Sequence, residues 1–380
     1  MRRTPAARPL LLPLTPLYRL AVSLRELRLA RGWEQVRRLE RPVVSIGNLS
    51  TGGAGKTPLA IALAQALRRR GVAVDVLSRG YGRASKLAVR VDPDGSAAEF
   101  GDEPLLIARA TGVPVYVASQ RFDAGRMAEA AQSTDEEPAS RQGTAEVVPC
   151  YEAPNAEGSS PLALHLLDDG FQHRQLHRDV DIVLVSAADL GDRLLPAGNL
   201  REPLAALKRA TVVAIPANEP ETEAGLRALG WQGPVWRVRR QMETPAIDGP
   251  AVAFCGIARP QQFFAGLEAT GLHLASRIAF ADHHAYKEHD MDCIKDAVRS
   301  TRAVAVLTTQ KDLVRLGALA ETLPSGIPLR TVPLRTLIED EDACVDWLLQ
   351  RLPQLDCSGL EEWGGFPPFR DKTREMGGAR

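Results

Sequence analysis

The chain has 380 residues, long enough for two domains rather than one, and its apolar (44%) and charged (25%) fractions are those of an ordinary globular protein. Its 47 basic and 47 acidic side chains cancel, which excludes a protein that holds nucleic acid by bulk charge. Five cysteines, at 150, 255, 293, 344 and 357, are scattered, odd in number and without a CxxC pair; they suggest neither a zinc site nor a disulfide framework, and a reducing compartment is expected.

The amino end is basic: up to Arg41, ten arginines stand against Glu26, Glu34 and Glu40. The apolar run Leu10 to Leu14 is broken by Pro13, and Pro16 and Arg19 follow closely, a poor fit to a signal peptide. No later apolar run approaches the ~20 residues a membrane span needs. From Leu17 to Ala30 the spacing predicts an amphipathic helix, with Leu17, Leu20, Leu24 and Leu27 on one face and Arg19, Arg25 and Arg28 mostly elsewhere. Such a helix either lies among anionic headgroups or packs its leucines on its own domain.

Val43 to Ile46 reads as a short buried strand, and Leu59 to Arg70 carries apolar residues at helical spacing. Between them runs the glycine-rich turn Ser50-Thr51-Gly52-Gly53-Ala54-Gly55-Lys56-Thr57. Strand, glycine-rich turn and helix in this order form a phosphate loop, whose backbone N–H groups converge on an anion at the positive end of a helix. Lys56 would reach the β- and γ-phosphates, and the Thr57 hydroxyl would ligate Mg²⁺. Ser50 stands where the Walker A pattern has its first glycine, so the match is near rather than complete.

Val72 to Leu77 is the next expected strand and ends in Ser78-Arg79-Gly80-Tyr81-Gly82-Arg83, where Arg79 and Arg83 are candidate phosphate contacts. Gly101-Asp102-Glu103-Pro104 opens a helix, with Asp102 readable as its N-cap, and Pro114 to Val117 is a further strand. Residues 131–160 are polar, small and aperiodic, and are expected to be a flexible insertion. Leu162 to Leu167 resumes as a buried strand delivering Asp168 and Asp169, the Walker B arrangement for Mg²⁺. Strands at Asp181 to Val185 and Thr211 to Ile215 flank a loop that holds Arg193, Asn199, Arg201 and Glu202. The prolines at 216 and 220 read as a domain boundary. Beyond it, a strand at Pro234 to Arg240 and then repeated βα units predict a second, smaller α/β domain with a ligand cleft between the two.

Taken in order, GNLSTGGAGKTP, SRGYGR, GDEP, LDDGFQHR, LLPAGNLREP, CGIARPQQF, FADHH and TTQKD closely resemble the tetraacyldisaccharide 4'-kinases of lipid A synthesis, from about Pro42 to Asp312. The resemblance implies an α/β fold: a modified P-loop NTPase domain with a parallel sheet (1–215, amino helix included) and a smaller α/β domain across a hinge (216–352). Beyond the resemblance, residues 353–380 are expected to be a flexible tail. The resemblance also implies transfer of the γ-phosphate of ATP to the 4'-hydroxyl of a tetraacyldisaccharide 1-phosphate, giving lipid IVA, by a peripheral enzyme on the cytoplasmic face of the Gram-negative inner membrane. Mg²⁺ is the implied metal, and no nucleic acid or obligatory protein partner is implied. By resemblance, Asp102 is the catalytic aspartate and His283 its partner, Thr57, Asp168 and Asp169 serve the metal, and His173, Arg201 and Glu202 are possible substrate or nucleotide contacts. The family commonly carries Glu where Gln310 stands, and the 131–160 insertion is longer than usual. The competing reading is a P-loop GTPase or metallochaperone-type switch, although Lys311 falls one place late for a guanine signature. A kinase for a soluble substrate would not require the basic amphipathic amino end.

Overall fold

A computed structural model of the chain describes residues 9–51, 55–134, 162–324 and 326–353. Gly52, Gly53 and Ala54, nearly all of the expected insertion and the expected tail lie outside the described residues. In chain order the elements are α1 (Thr15–Ala30), β1 (Val43–Asn48), α2 (Lys56–Arg69), β2 (Ala73–Ser78), β3 (Val89–Arg90), α3 (Ala97–Phe100), α4 (Asp102–Thr111), β4 (Val115–Val117), α5 (Arg121–Thr134), β5 (Ala163–Asp168), β6 (Val180–Leu184) and α6 (Ala187–Leu190). They continue with β7 (Val212–Pro216), α7 (Pro220–Ala228), β8 (Val235–Met242), β9 (Ala251–Cys255), α8 (Pro260–Ala269), β10 (Leu274–Ala279), α9 (Glu288–Thr301), β11 (Ala305–Thr309), α10 (Gln310–Leu316), β12 (Leu329–Val332), β13 (Leu334–Ile338) and α11 (Glu341–Arg351).

Among the described residues the strands form two sheets, ordered β13-β8-β7-β6-β1-β5-β2-β4-β3 and β10-β9-β11-β12. The large sheet is parallel from β8 to β4 and antiparallel only at its edges, where β13 pairs with β8 and β3 with β4. β1 lies between β5 and β6 and is buried along its whole length, because a parallel strand covered by helices on both faces has no solvent side to alternate toward. Leu59, Leu63 and Leu67 of α2, all fully buried, pack on one face of this sheet with Ile46, Leu164 and Leu166. The small sheet is wholly parallel. α8 covers one of its faces through Phe263, Phe264 and Leu267, and α9 covers the other through Met291, Ile294 and Val298.

The large sheet runs past the boundary expected at residue 216. β8 is its next parallel strand, burying Trp236 and Val238, and the chain returns after the small sheet to add β13 and α11. The prolines at 216 and 220 are thus the turn between β7 and α7, and the small sheet is an insertion carried between β8 and β13. A proline pair marks a turn equally well inside a domain or between two, and the pairing of β8 with β7 is a long-range fact.

α1 has no fully buried residue. It faces the body through Tyr18, Val22, Glu26 and Leu29 and is tied there by Tyr18 Oη donating to the Arg201 carbonyl at 2.9 Å and Arg25 Nη2 donating to the Gln172 carbonyl at 2.7 Å. Leu17, Leu20, Leu24 and Leu27 point outward, 66%, 55%, 50% and 41% exposed. The leucine face is therefore not packed on its own domain. Among the described residues no helix is long and apolar enough to cross a membrane.

Candidate active site

The parallel strands set their carboxyl ends along one edge, and the loops at that edge carry the candidate residues. Asn48, the last residue of β1 and fully buried, donates from Nδ2 to the Ser50 carbonyl at 2.7 Å and accepts from Lys56 Nζ at 3.0 Å. Ser50 forms an antiparallel bridge with Leu200, Thr51 N–H donates to the Asn199 carbonyl at 2.8 Å, and Arg201 N–H to the Leu49 carbonyl at 2.7 Å. The LLPAGNLREP segment thus braces the start of the phosphate loop where the first Walker glycine is missing. Gly55 closes the described part of the loop at φ 90°, and a Cβ there would collide with the guanidinium of Arg240 from β8. Thr57 follows, buried in the first turn of α2.

β5 pairs with β1 in the register Ile46↔Asp168, so the acids arrive opposite the phosphate loop. Asp168 is buried, and its Oδ1 has no hydrogen-bond partner. Burial first, and the charges of Glu103 and Asp169 next, push its carboxyl up to about 7. Asp169 adopts φ 50°, a left-handed conformation that costs a non-glycine residue about 1 kcal/mol or more. It meets Lys56 Nζ at 3.2 Å and Arg201 Nη1 at 3.1 Å. Burial would raise its carboxyl, but Lys56 and Arg201 outweigh that and hold it low.

α4 brings in Asp102 from the large sheet and the loop after β10 brings in His283 from the small one. Gly101, at φ 90°, occupies the helix-capping position, and Asp102 is the first helical residue. A Cβ at residue 101 would stand 3.0 Å from Gly80 Cα, so glycine lets the GDEP and SRGYGR loops pack together. His283 Nδ1 is 3.1 Å from Asp102 Oδ2. Burial acts to raise the Asp102 carboxyl, but the His283 hydrogen bond and the Arg315 guanidinium hold it well below the usual range. The Asp102 hydrogen bond raises His283 in return. His283 is itself left-handed at φ 58°. Its neighbour His284 stacks on Phe280 and pairs with Asp290 at 2.9 Å, away from Asp102.

The chain matches the profile of the family described as tetraacyldisaccharide-1-P 4'-kinase over residues 7–353. Curated relatives named tetraacyldisaccharide 4'-kinase include one from Koribacter versatilis, 40% identical over 349 residues (89% of this chain, 97% of that protein). Another, from Geobacter metallireducens, is 37% identical over 325 residues (80% and 88%). A crystal structure of LpxK from Aquifex aeolicus in complex with ATP superposes with a TM-score of 0.66 at 28% identity, covering 91% of this chain and 99% of that one. The chain belongs to the tetraacyldisaccharide 4'-kinase family.

For a tetraacyldisaccharide 4'-kinase, most of the sequence candidates converge on one edge. Arg201 reaches Asp169, and Glu202 is buried in an ion pair with Arg209, whose guanidinium lies 4.7 Å over the Phe171 ring. His173 stands half-buried with its pKa depressed to about 4, by burial first and then by Arg121, Arg178, Arg25 and Arg79. Arg79 is exposed at the end of β2. Arg83 packs against Gly80 and donates from Nη2 to the Leu87 carbonyl at 2.7 Å within its own loop. Four residues escaped the sequence reading. Arg121, 8% exposed, donates to the Asp169 carbonyl at 3.3 Å, and Lys311 donates to Glu103 at 2.6 Å. Arg240 lies on Gly55, and Arg315 holds Asp102. Lys311 stood within a quoted motif; no signal marked the other three.

Proposed function

We propose that the chain transfers the γ-phosphoryl group of ATP to the 4'-hydroxyl of a tetraacyldisaccharide 1-phosphate, working peripherally at the cytoplasmic face of the inner membrane. The observation that carries this reading is the Asp102–His283 contact, in which a carboxylate at the phosphate-loop edge is engaged by an imidazole from the other sheet. Lys56 exchanges Asp169 and Asn48 for the β- and γ-phosphate oxygens. Asp102 orients the acceptor hydroxyl and takes its proton as the oxygen–phosphorus bond forms and the bond to the β–γ bridging oxygen breaks, releasing ADP. A carboxylate held this far below neutrality is a weak base. That suits a loose transition state, in which the proton leaves late and positioning supplies most of the rate. His283 fixes that carboxylate, and Arg201 balances charge around Asp169.

The residues present fit Mg²⁺. The unpartnered, buried Oδ1 of Asp168 lacks the positive partner a divalent cation supplies, and Thr57, buried at the head of α2, would offer its hydroxyl as a further ligand. Among the described residues no three His, Cys, Asp or Glu side chains form a ready-made cage, as expected of an ion that takes one or two carboxylates and completes its shell with phosphate and water. Bound there, the ion would neutralise phosphate charge.

α1 is read as the membrane contact, since its leucines face outward while its inner face is tied beside Arg201 and Gln172. The switch-protein reading loses its best motif, because Asp312 is fully buried and accepts from Gly256 N–H and Tyr286 Oη, each at 3.0 Å. Incubating purified protein with ATP and tetraacyldisaccharide 1-phosphate in mixed micelles, then locating the new phosphate by ³¹P NMR and mass spectrometry, tests the function. A 4'-phosphate is expected. ATP hydrolysis without acceptor phosphorylation, or phosphate at another position, overturns it.

A further inference from the structure

α10 follows β11, inside the crossover from β11 to β12 of the small sheet, and packs against α4 of the large one. Arg315, on its last turn, is buried to 7% side-chain exposure. Its Nε donates to Asp102 Oδ2 at 2.7 Å, and Nη2 donates to the same oxygen. Its Nη1 donates to the Gly256 carbonyl at 2.7 Å and to Asp312 Oδ1 at 3.1 Å. Asp312 is fixed in turn by Gly256 N–H, Tyr286 Oη and Thr309 Oγ1, the last at 2.6 Å. Arg315 is therefore a rigid post whose fork is aimed at one atom of the candidate base.

The two oxygens of Asp102 are treated differently. Oδ2 takes both arms of the Arg315 fork as well as His283 Nδ1, while Oδ1 accepts the Glu103 N–H at 2.9 Å. A carboxylate offers about four lone-pair sites, so the open one is on Oδ1. We propose that Arg315 is a positioning residue of the phosphoryl transfer: it fills Oδ2 of Asp102, locks the carboxylate plane, and leaves Oδ1 as the atom that receives the acceptor hydroxyl's proton. The inference rests on the reading of Asp102 as base. It extends the acid–histidine pair to a third member and assigns the reacting oxygen. A fork matters here because two N–H arms fix the direction as well as the position of Oδ2, while the Glu103 N–H holds Oδ1, so that the plane of the carboxylate is set from both ends.

The charges that face this carboxylate are His283 and, through it, Asp282; Arg315 and Asp312 on α10; Lys311 on the same helix; and Glu103 on α4 itself. Arg315 Nη2 also lies 3.3 Å from His283 Nδ1 and acts to lower its pKa, so removing Arg315 deletes the cation nearest Asp102 and lets His283 rise. The rate against pH is therefore a readout that loosened packing alone would not move. The enzyme would be assayed in mixed micelles as wild type, Arg315→Met, Arg315→Lys, Asp102→Asn and the Asp102→Asn/Arg315→Met double variant.

Arg315→Met is expected to lower kcat by at least about tenfold with the KM for ATP within about twofold. It should also move the acid limb of kcat/KM up by about one pH unit or more. Arg315→Lys should restore much of the limb position but less of kcat. In the Asp102→Asn background, Arg315→Met should cost nothing further in kcat. An unmoved limb in a folded Arg315→Met enzyme, or an equal loss of rate in both backgrounds, overturns the assignment while leaving Asp102 as base. Near-normal turnover by Asp102→Asn instead removes the base reading and this inference with it. If Arg315→Met does not fold, a folded Arg315→Lys enzyme with wild-type kcat and limb is enough to overturn the requirement for the fork.

Discussion

Lys56 has two partners, Asn48 Oδ1 at 3.0 Å and Asp169 at 3.2 Å, and both are polar groups that phosphate oxygens replace. Lys56→Ala should therefore abolish turnover, because the transferring group loses its counter-charge, while circular dichroism and Tm stay near wild type. A folded variant with near-normal kcat would remove the phosphate-loop reading. A second residue-level expectation concerns stability. His165 on β5 is fully buried, with Nδ1 at 2.7 Å from Asp75 and Nε2 at 3.5 Å from Glu129, an ion-pair rather than a hydrogen-bond distance. Burial would lower its pKa, but the two carboxylates outweigh it and raise it from 6.5 to about 9. A raised folded-state pKa contributes stability that is complete below about 6.5 and is lost as pH rises through about 9, on the order of 3 kcal/mol in all. Tm should fall across that window. His165→Gln should lower Tm throughout, because two buried carboxylates lose the cation between them and are left with Arg41 on Asp75 and Arg126 on Glu129, and should flatten the dependence. A His165→Gln curve parallel to wild type would show that His165 is not the titrating group.

At the scale of elements, α1 differs from every other long helix in having no buried residue, so little of the core depends on it. Deleting residues through Arg31 should leave Tm nearly unchanged yet weaken sedimentation with anionic liposomes and raise KM for vesicle-presented substrate. Each basic residue lost near an anionic surface is worth about 1 kcal/mol. Raised salt should weaken binding of the intact chain by screening. Sedimentation unchanged in the truncated protein would move the membrane contact elsewhere. The leucine spacing made this helix legible in the sequence, but which way its leucines face was not. Orientation follows from Tyr18 and Arg25 meeting the Arg201 and Gln172 carbonyls, which are contacts across 183 and 147 residues.

At the scale of the molecule, the candidate site is completed by groups from both sheets: Asp102 and Glu103 from α4, His283 from the loop after β10, Lys311 and Arg315 from α10. If Asp102 and His283 act as a unit, each alanine variant should lose most of kcat with ATP binding preserved, and the double variant should be little worse than the worse single. Multiplicative losses would show independent roles. The small sheet joins the large one covalently only through the segments after β8 and before β13, so side-chain pairs such as Glu103–Lys311, at 2.6 Å, also hold the two halves of the site in register.

The sequence by itself determined the parts whose signal is local. The phosphate loop, the acids after β5 and the alternation of apolar strands with helices depend on neighbours within a dozen residues, and the ordered motifs named the family. It did not determine which strands share a sheet, since nothing local to β8 or to the small-sheet strands says which distant strand each will pair with. Nor did it mark Arg121, Arg240 or Arg315, which sit outside the motifs and read as ordinary charged positions. Their meaning comes from the tertiary structure, because only folding sets a guanidinium from α10 against a carboxylate 213 residues away, out of water, where a charge must find a partner.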